Sequence, residues 1–299
     1  MNQINLNNRE YDVIIVGAGF SGLYQLICLR DQLGMNCLVV ETGDDVGGTW
    51  YWNRYPGARC DTESHAYSYY FSDELLKEWT WSERYPGHAE IRRYMNFVAD
   101  KFDLKKDILF NHKVTSAQYN EDKICWEITT NNKINFRSKF LITAVGCLSN
   151  ANIPNIKGLE NFKGKYYHTG NWPKNDVSFV GKKVGQIGTG STGIQAVPVI
   201  AEEAKHLTVF QRTANYSVPA RNKPLTENFK IHVKERFKYY RELLKKTPNG
   251  HPFEISDRLV ADVQEQEMQE IYEKAWKNGG LQFRGCLLYT SPSPRDTVR

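Results

Sequence analysis

No Cys-x-x-Cys pair occurs in these 299 residues, although six cysteines are present: Cys28, Cys37, Cys60, Cys125, Cys147 and Cys286. That absence argues against a redox-active dithiol and against a zinc knuckle. Reduced, partly buried thiols are expected, and no metal site. No apolar run approaches the roughly 20 residues of a membrane-spanning helix. The polar stretch Met1 to Glu10 lacks the apolar core of a secretory signal. A cytoplasmic location and no membrane partner are the resulting expectations. Blocks of like charge are also missing. The net charge of +5 arises from 39 Lys and Arg dispersed among 34 acids, which argues against nucleic acid as a partner and is compatible with anionic cofactors. No repeat of solenoid period is visible.

What is present suits a globular protein with a sizeable core: 40% hydrophobic and 24% charged residues, with a mean hydropathy of −0.57. The length fits about two domains. Tyr11 to Val16 is a β-branched apolar run and reads as a buried strand. The turn Gly17-Ala18-Gly19-Phe20-Ser21-Gly22 follows, then a helix over Leu23 to Leu33 and a strand over Cys37 to Val40 that ends at Glu41. This is a βαβ unit with nucleotide-binding spacing. Glu90 to Phe102 reads as an amphipathic helix, and Val114 to Tyr119, Ile124 to Thr130 and Ile134 to Thr143 as strands. Gly181 to Ile187 leads into a second strand, a second turn, Gly188-Thr189-Gly190-Ser191-Thr192-Gly193, and a helix; Leu207 to Phe210 is the next strand. Glu227 to Lys246 and Leu259 to Lys277 have helical period, with a break opened by Thr247-Pro248-Asn249-Gly250.

In a G-x-G-x-x-G turn the first glycine makes the bend, the second lets a pyrophosphate approach the backbone, and the third lets helix pack on strand. One match alone is weak evidence. Here both turns follow a strand and open a helix, which is the confirming context. The strand ends about 20 residues further on separate the two sites. Glu41 can accept hydrogen bonds from ribose hydroxyls and would repel a 2′-phosphate, so FAD or NAD fits the first site. The second strand ends at Gln211-Arg212 with no acid, and Arg212 can pair with a 2′-phosphate. NADPH fits there better than NADH. A solvated arginine at a strand end is the plainer alternative.

Two further segments are dense in glycine and aromatic residues. Gly47-Gly48-Thr49-Trp50-Tyr51-Trp52-Asn53-Arg54-Tyr55-Pro56-Gly57-Ala58-Arg59-Cys60-Asp61 offers close backbone approach and flat walls; ordinary core aromatics and an exposed turn would look much the same. Phe162-x-Gly164-x-x-x-His168-x-x-x-Trp172-Pro173 lies between the two glycine turns.

That second pattern resembles the fingerprint of type I Baeyer–Villiger monooxygenases, and the Gly47 to Asp61 stretch is similar to their motif G-G-x-W-x-x-x-x-Y-P-G-x-x-x-D at every fixed position. The likeness is to the phenylacetone and cyclohexanone monooxygenase group and runs from Tyr11 to about Gly280. It implies an α/β fold with two Rossmann-like dinucleotide-binding domains, for FAD and NADP, plus a helical segment. The expected boundaries are 1–149 for the FAD domain, 150–222 for the NADP domain and 223–285 for the helical segment. The implied reaction uses NADPH, FAD, O2 and a small ketone: reduced flavin forms a C4a-peroxide that converts the ketone to an ester or lactone.

Residue by residue, the resemblance implies that Gly17, Gly19, Phe20, Ser21, Gly22 and Glu41 hold FAD, with Thr49, Trp50, Asp61 and Tyr67 lining the flavin side. Arg59 and Cys60 would lie toward the nicotinamide, and Thr189, Gly190, Ser191, Thr192, Gly193, Arg212 and Thr213 would hold NADPH. Asp61 would take the catalytic positioning role by orienting an arginine, and His168 a structural, domain-coupling one. Related N- and S-oxygenating flavin enzymes usually carry Tyr or Phe at the position of Trp172, so Trp172 favours ketone chemistry.

Cys286 to Asp296 resembles one reading frame of a sequencing-library adapter, so 286–299 is expected to be a non-native tail and the natural sequence to be truncated at its C-terminal side; a genuine Pro/Ser-rich tail is the alternative. The family's catalytic arginine motif has no match between Leu281 and Arg299. The sequence as written is therefore expected to lack oxygenating activity that a full-length protein would have. N- or S-oxygenation, or a non-catalytic nucleotide-binding fragment, are the competing functions. A pyridine nucleotide–disulfide reductase would need the missing Cys-x-x-Cys pair.

Overall fold

The computed structural model describes residues 7–288; residues 289–299, most of the adapter-like stretch, lie outside the described residues. The protein divides into two compact units, one of residues 1–58 and 88–181, the other of 59–87 and 182–299. In sequence order the strands are β1 (Arg9–Val16), β2 (Cys37–Val40), β3 (Ile108–Leu109), β4 (Val114–Asn120), β5 (Cys125–Thr130), β6 (Asn135–Thr143), β7 (Lys183–Ile187) and β8 (His206–Phe210). The α-helices are α1 (Phe20–Leu26), α2 (Thr49–Trp52), α3 (Asp73–Glu78), α4 (His88–Lys101), α5 (Ser191–Glu203), α6 (Glu227–Glu235), α7 (Phe237–Lys246) and α8 (Glu265–Asn278).

The first unit is built on a six-stranded sheet in the order β3-β2-β1-β6-β5-β4. Strands β2, β1 and β6 run parallel, with Ile14 opposite Leu38 on one side and Leu141 on the other. Val13, Ile14 and Ile15 are buried on both faces, as a central parallel strand requires. Antiparallel pairing of β4, β5 and β6 adds a meander. Ile14, Leu38, Val40, Ile128 and Phe136 form one core on this sheet. Helix α4 buries Ile91, Tyr94, Met95, Val98 and Ala99, the i, i+3, i+4 stripe of an amphipathic helix. The helix after the first turn differs from the expected continuous α-helix over Leu23 to Leu33. It ends at Leu26 and widens into a π turn over Ile27–Gln32, where the Leu33 N–H donates to Cys28 O. Arg30 on that turn donates to Phe102 O, to Asp103 O and to Asp107, contacts no periodicity reveals.

The second unit contains the parallel pair β7–β8, aligned Val184 to Leu207 and Ile187 to Phe210, with α5 between them in sequence. The segment 59–87 groups with this unit and 150–181 with the first, a partition that differs from the sequential boundaries read from the sequence. Its ties explain the grouping. Arg84 donates to Asn278 O at 2.7 Å, and Arg241 pairs with Asp73 at 2.6 Å. The expected helix over Glu227 to Lys246 is two helices, broken at Arg236 (φ −112°, ψ 20°); the break lets Phe237 and Tyr240 turn inward and bury. The expected helix over Leu259 to Lys277 begins only at Glu265, after a short 3-10 turn over Val260–Asp262. Among the described residues no helix is long and apolar enough to cross a membrane.

Candidate functional site

The first glycine turn sits at the carboxyl end of β1, where the neighbours β2 and β6 leave on opposite sides, the usual ligand crevice of an open parallel sheet. Its glycines are fixed by contact. Gly17 has φ +105°, and a Cβ there would lie 2.7 Å from Ala144 O. A Cβ on Gly22 would lie 1.8 Å from Gly17 O, so helix–strand packing admits no side chain. Glu41 directly follows β2 and is buried. Its Oε2 accepts from the Ala18 N–H at 2.6 Å and its Oε1 from the Gly43 N–H at 2.7 Å. The carboxylate therefore holds the glycine turn in shape. The paired glycines of the next motif dock on the same turn. Gly47 N–H donates to Ala18 O at 3.1 Å, and a Cβ on Gly48, at φ +52°, would meet Gly19 Cα at 2.7 Å. Thr49 and Trp50 open α2 directly after, Trp50 buried and Thr49 half-buried; Phe20 is half-buried and Ser21 exposed.

Tyr51 links this motif to the end of the linker. Its hydroxyl donates to Asp44 Oδ1 at 2.6 Å, Lys174 Nζ donates to Asp44 Oδ2 at 2.5 Å, and Arg54, Arg92 and Lys174 all stand over its ring. Lys174 and Tyr51 together hold the Asp44 carboxyl down at about 2. Lys174 directly follows Pro173, so the aromatic linker is anchored beside the first site. Within the linker, Phe162 is exposed and its ring folds over Gly164, where a Cβ would lie 2.6 Å from Phe162 Cζ. His168 Nδ1 accepts from the Gly170 N–H at 3.1 Å and caps a 3-10 turn over Thr169–Asn171. Trp172 packs between Tyr167 and Phe179. His168 thus acts as a strut within its own loop.

The second turn lies in the second unit. A Cβ on Gly193 would fall 2.5 Å from Gly188 O, repeating the packing at Gly22. A Cβ on Gly190 would meet nothing within 4 Å among the described residues, so packing does not demand a glycine there. Helix α5 starts without a side-chain cap or an acid in its first turn, whereas Ser72 caps α3 and Thr226 caps α6. Thr189 Oγ1 accepts from Gln211 Nε2 at 2.9 Å and from Asn215 Nδ2 at 3.1 Å. These bonds hold the loop carrying exposed Arg212 and Thr213 against the turn; Ser191 is exposed and Thr192 half-buried.

Arg59, Cys60, Asp61 and Tyr67 belong to the second unit. The Arg59 guanidinium donates to Glu83 Oε2 at 3.3 Å and to Tyr85 O at 3.1 Å. Cys60 is buried, and burial pushes its thiol up to about 12, so it is a neutral, inert thiol at physiological pH. Half-buried Tyr67 closes a turn on Glu63 O. Asp61 is exposed and borders a shallow recess of ≈ 170 Å³ shared with Glu63, Tyr85, His251, Phe253 and Leu281. It encloses no space that a water molecule could occupy, so it is a surface dent rather than a ligand pocket. Burial pushes the Tyr85 phenol up to about 12. The His251 ring stacks on Phe253; burial, with Arg284, lowers its pKa against the pull of Asp61. Among the described residues no group of three or more His, Cys, Asp or Glu could hold a metal ion. Sequence reading misses Gln195, Gln211, Asn215 and Lys174. Each is a lone polar residue whose partner is distant in sequence, so no spacing signals it.

A family model described as flavin-binding monooxygenase-like matches residues 10–276. A cyclohexanone 1,2-monooxygenase from an Acinetobacter species is 46% identical over 273 residues, covering 91% of this chain and 50% of that protein. A phenazine N-monooxygenase from Lysobacter antibioticus is 40% identical over 281 residues, covering 94% and 52%. The solved structure of an oxidized steroid monooxygenase bound to NADP superposes with a TM-score of 0.90 at 45% identity, covering 96% of this chain and 55% of that one. The chain spans about half the length of the curated relatives it matches.

Proposed function

We propose, from the premise that this chain belongs to the flavin-binding monooxygenase-like family, that its first glycine turn with Glu41 holds FAD and its second with Arg212 holds NADPH. We further propose that, in a protein of the relatives' length, these sites serve a Baeyer–Villiger oxidation: one oxygen of O2 is inserted beside the carbonyl of a small ketone to give an ester or lactone. The observation that carries the reading is the contrast between the two strand ends. Glu41 is a buried carboxylate tied to the first turn, and Arg212 is an exposed cation on a loop tied to the second.

The residues present fit these groups. A carboxylate at the first strand end keeps lone pairs for ribose hydroxyls beyond the two bonds it makes to backbone. At the second turn, open space above Gly190 and the uncapped start of α5 suit a pyrophosphate, which helix N–H groups and the helix dipole attract. Arg212 suits a 2′-phosphate through charge-assisted hydrogen bonds. When bound, the flavin would accept hydride from the nicotinamide and activate O2. The protein's own residues then have separate tasks. Gly17, Gly19, Phe20, Ser21 and Gly22 give the first backbone cradle, and Thr49 and Trp50 close over it. Thr189, Gly190, Ser191, Thr192 and Gly193 give the second, with Thr213 beside Arg212. Asp61 takes the catalytic positioning role, and Arg59 and Tyr67 stand with it in the second unit. Neutral Cys60 fills space and donates no nucleophile. The domain division is proposed in amended form: the first unit handles FAD, and the second, including 59–87, handles NADPH.

A second reading, N-oxygenation, is favoured by the 40% identity to the phenazine N-monooxygenase. Product analysis separates the two. A protein of the relatives' length carrying this sequence, supplied with NADPH and O2, should convert a cyclic ketone to its lactone. Formation of an N-oxide from a phenazine with no lactone from any ketone would overturn the ketone reading.

A further inference from the structure

Arg59 stands two residues before Asp61, and its backbone lies in an unusual setting. It pairs with Gly87 as an isolated antiparallel bridge, and one bond of that bridge runs from the Cys60 N–H to Pro86 O at 3.0 Å. In such a narrow pair the hydrogen bonds are made by the flanking residues, so the N–H and C=O of Arg59 itself point away from Gly87. The side-chain amide of Gln195 meets both. Arg59 N–H donates to Gln195 Oε1 at 3.3 Å, and Gln195 Nε2 donates to Arg59 O at 3.1 Å. One glutamine thus serves as a third strand one residue long. Gln195 is on α5, four residues after Ser191 and on the same face as that first helical residue.

We infer that Gln195 is a positioning residue that couples occupancy of the second nucleotide site to the placement of the Arg59–Asp61 backbone. The inference rests on the assignment of NADPH to the second turn. A dinucleotide phosphate bound at the start of α5 orders the first helical turn, and Gln195 passes that order to the Arg59 peptide groups, to which its amide is bonded in both directions. Asp61 is then set by the nucleotide without touching it. The Arg59 side chain has separate anchors, Glu83 and Tyr85 O, so removal of the glutamine amide leaves the segment attached while cutting this one route.

The test uses the purified protein, NADP+ as probe, and hydrogen exchange followed by mass spectrometry on peptides covering 59–63 and 188–193. In the wild type, NADP+ slows exchange in both, by about fivefold or more at the Arg59–Asp61 amides, the factor that one hydrogen bond of ordinary strength supplies. In Gln195→Ala the 188–193 peptide is still protected by NADP+, and the nucleotide effect on 59–63 falls to less than about twofold. Gln195→Met, which keeps the length and removes both bonds, gives the same pattern and serves if the alanine variant fails to fold. A purely structural glutamine would change exchange at 59–63 equally with and without NADP+. Retained NADP+ protection of 59–63 in the variants overturns the coupling. So does wild-type protection confined to 188–193. No NADP+ protection anywhere in the wild type overturns the nucleotide assignment together with the coupling.

Discussion

Replacing Glu41 by glutamine removes one negative charge and one acceptor from a carboxylate that serves two backbone donors. Both bonds are short, 2.6 Å from the Ala18 N–H and 2.7 Å from the Gly43 N–H, and the residue is 5% exposed. Hydrogen bonds to charged groups contribute about 1.5–3 kcal/mol each. Glutamine keeps one acceptor oxygen and turns an NH2 group toward the other N–H, so one bond is lost and two donors face each other. The expected loss is about 2–3 kcal/mol for Glu41→Gln and about 3–6 kcal/mol for Glu41→Ala, which abandons both donors. Against a total stability of about 5–15 kcal/mol these are large fractions. At roughly 2–4 °C per kcal/mol for a unit of this size, Glu41→Gln should lower Tm by about 5–10 °C. The assay is thermal unfolding followed by circular dichroism, with and without FAD. FAD should raise Tm in the wild type and raise it much less in either variant, since the same carboxylate is assigned to the ribose. A Glu41→Gln protein that melts within about 1 °C of wild type would refute the reasoning, because it would mean that the buried carboxylate does not hold the turn.

The two glycines of the second turn should behave oppositely. Gly193→Ala places a Cβ 2.5 Å from Gly188 O and should destabilise by about 1–3 kcal/mol through overpacking. Gly190→Ala meets nothing within 4 Å among the described residues, so its Tm should match wild type while NADP+ affinity, measured by calorimetry, falls at least about tenfold; unchanged affinity would contradict a phosphate cradle there. Lys174 and Tyr51 hold Asp44 down at about 2, from an ordinary 3.8. A depressed carboxyl pKa stabilises above the unfolded value, and that contribution disappears as pH falls through the folded one. Asp44→Asn should therefore be slightly less stable than wild type at neutral pH, and the difference should close once the pH falls below about 2; a constant difference across urea titrations on both sides of that pH would contradict this. Burial holds the Cys60 thiol up at about 12, whereas Cys147 is exposed. Iodoacetamide at mildly alkaline pH should modify Cys147 first and Cys60 only in denaturant, as read by peptide mass spectrometry.

The two glycine turns are legible in the sequence because their requirements are local. A β-branched run, glycines at fixed offsets and an acid or base at the next strand end state the βαβ geometry within about 30 residues. Gly17, Gly22 and Gly193 stand where the spacing places them, each excluded from carrying a side chain by a backbone oxygen. The core strands are legible for the same reason. What escapes reading depends on partners far along the sequence. Helical periodicity runs unbroken through Arg236, yet the helix breaks there so that Phe237 and Tyr240 bury, and His65 packs edge-on against Tyr240. The π turn after Leu26 carries the contacts of Arg30 to residues more than 70 positions away. Segment 59–87 reads as continuous with the first unit because it follows that unit's motif. The Asp73–Arg241 ion pair, the Arg84 bond to Asn278 O and the Gln195 amide instead tie it to the second. The spacing marks the acid at position 41 as a ribose partner alone; its bonds to Ala18 and Gly43 are visible only with the turn folded around it.

On the proposed assignment, one polypeptide carries two nucleotide sites of different specificity. Equilibrium dialysis of the purified protein against FAD, NADP+ and NAD+ tests it most directly. One FAD and one NADP+ should bind per polypeptide, with NADP+ held at least about tenfold tighter than NAD+ through charge-assisted bonds to Arg212. Arg212→Ala should erase that preference and leave FAD binding unchanged. A single nucleotide bound per polypeptide, or equal affinities for NADP+ and NAD+ in the wild type, would contradict it.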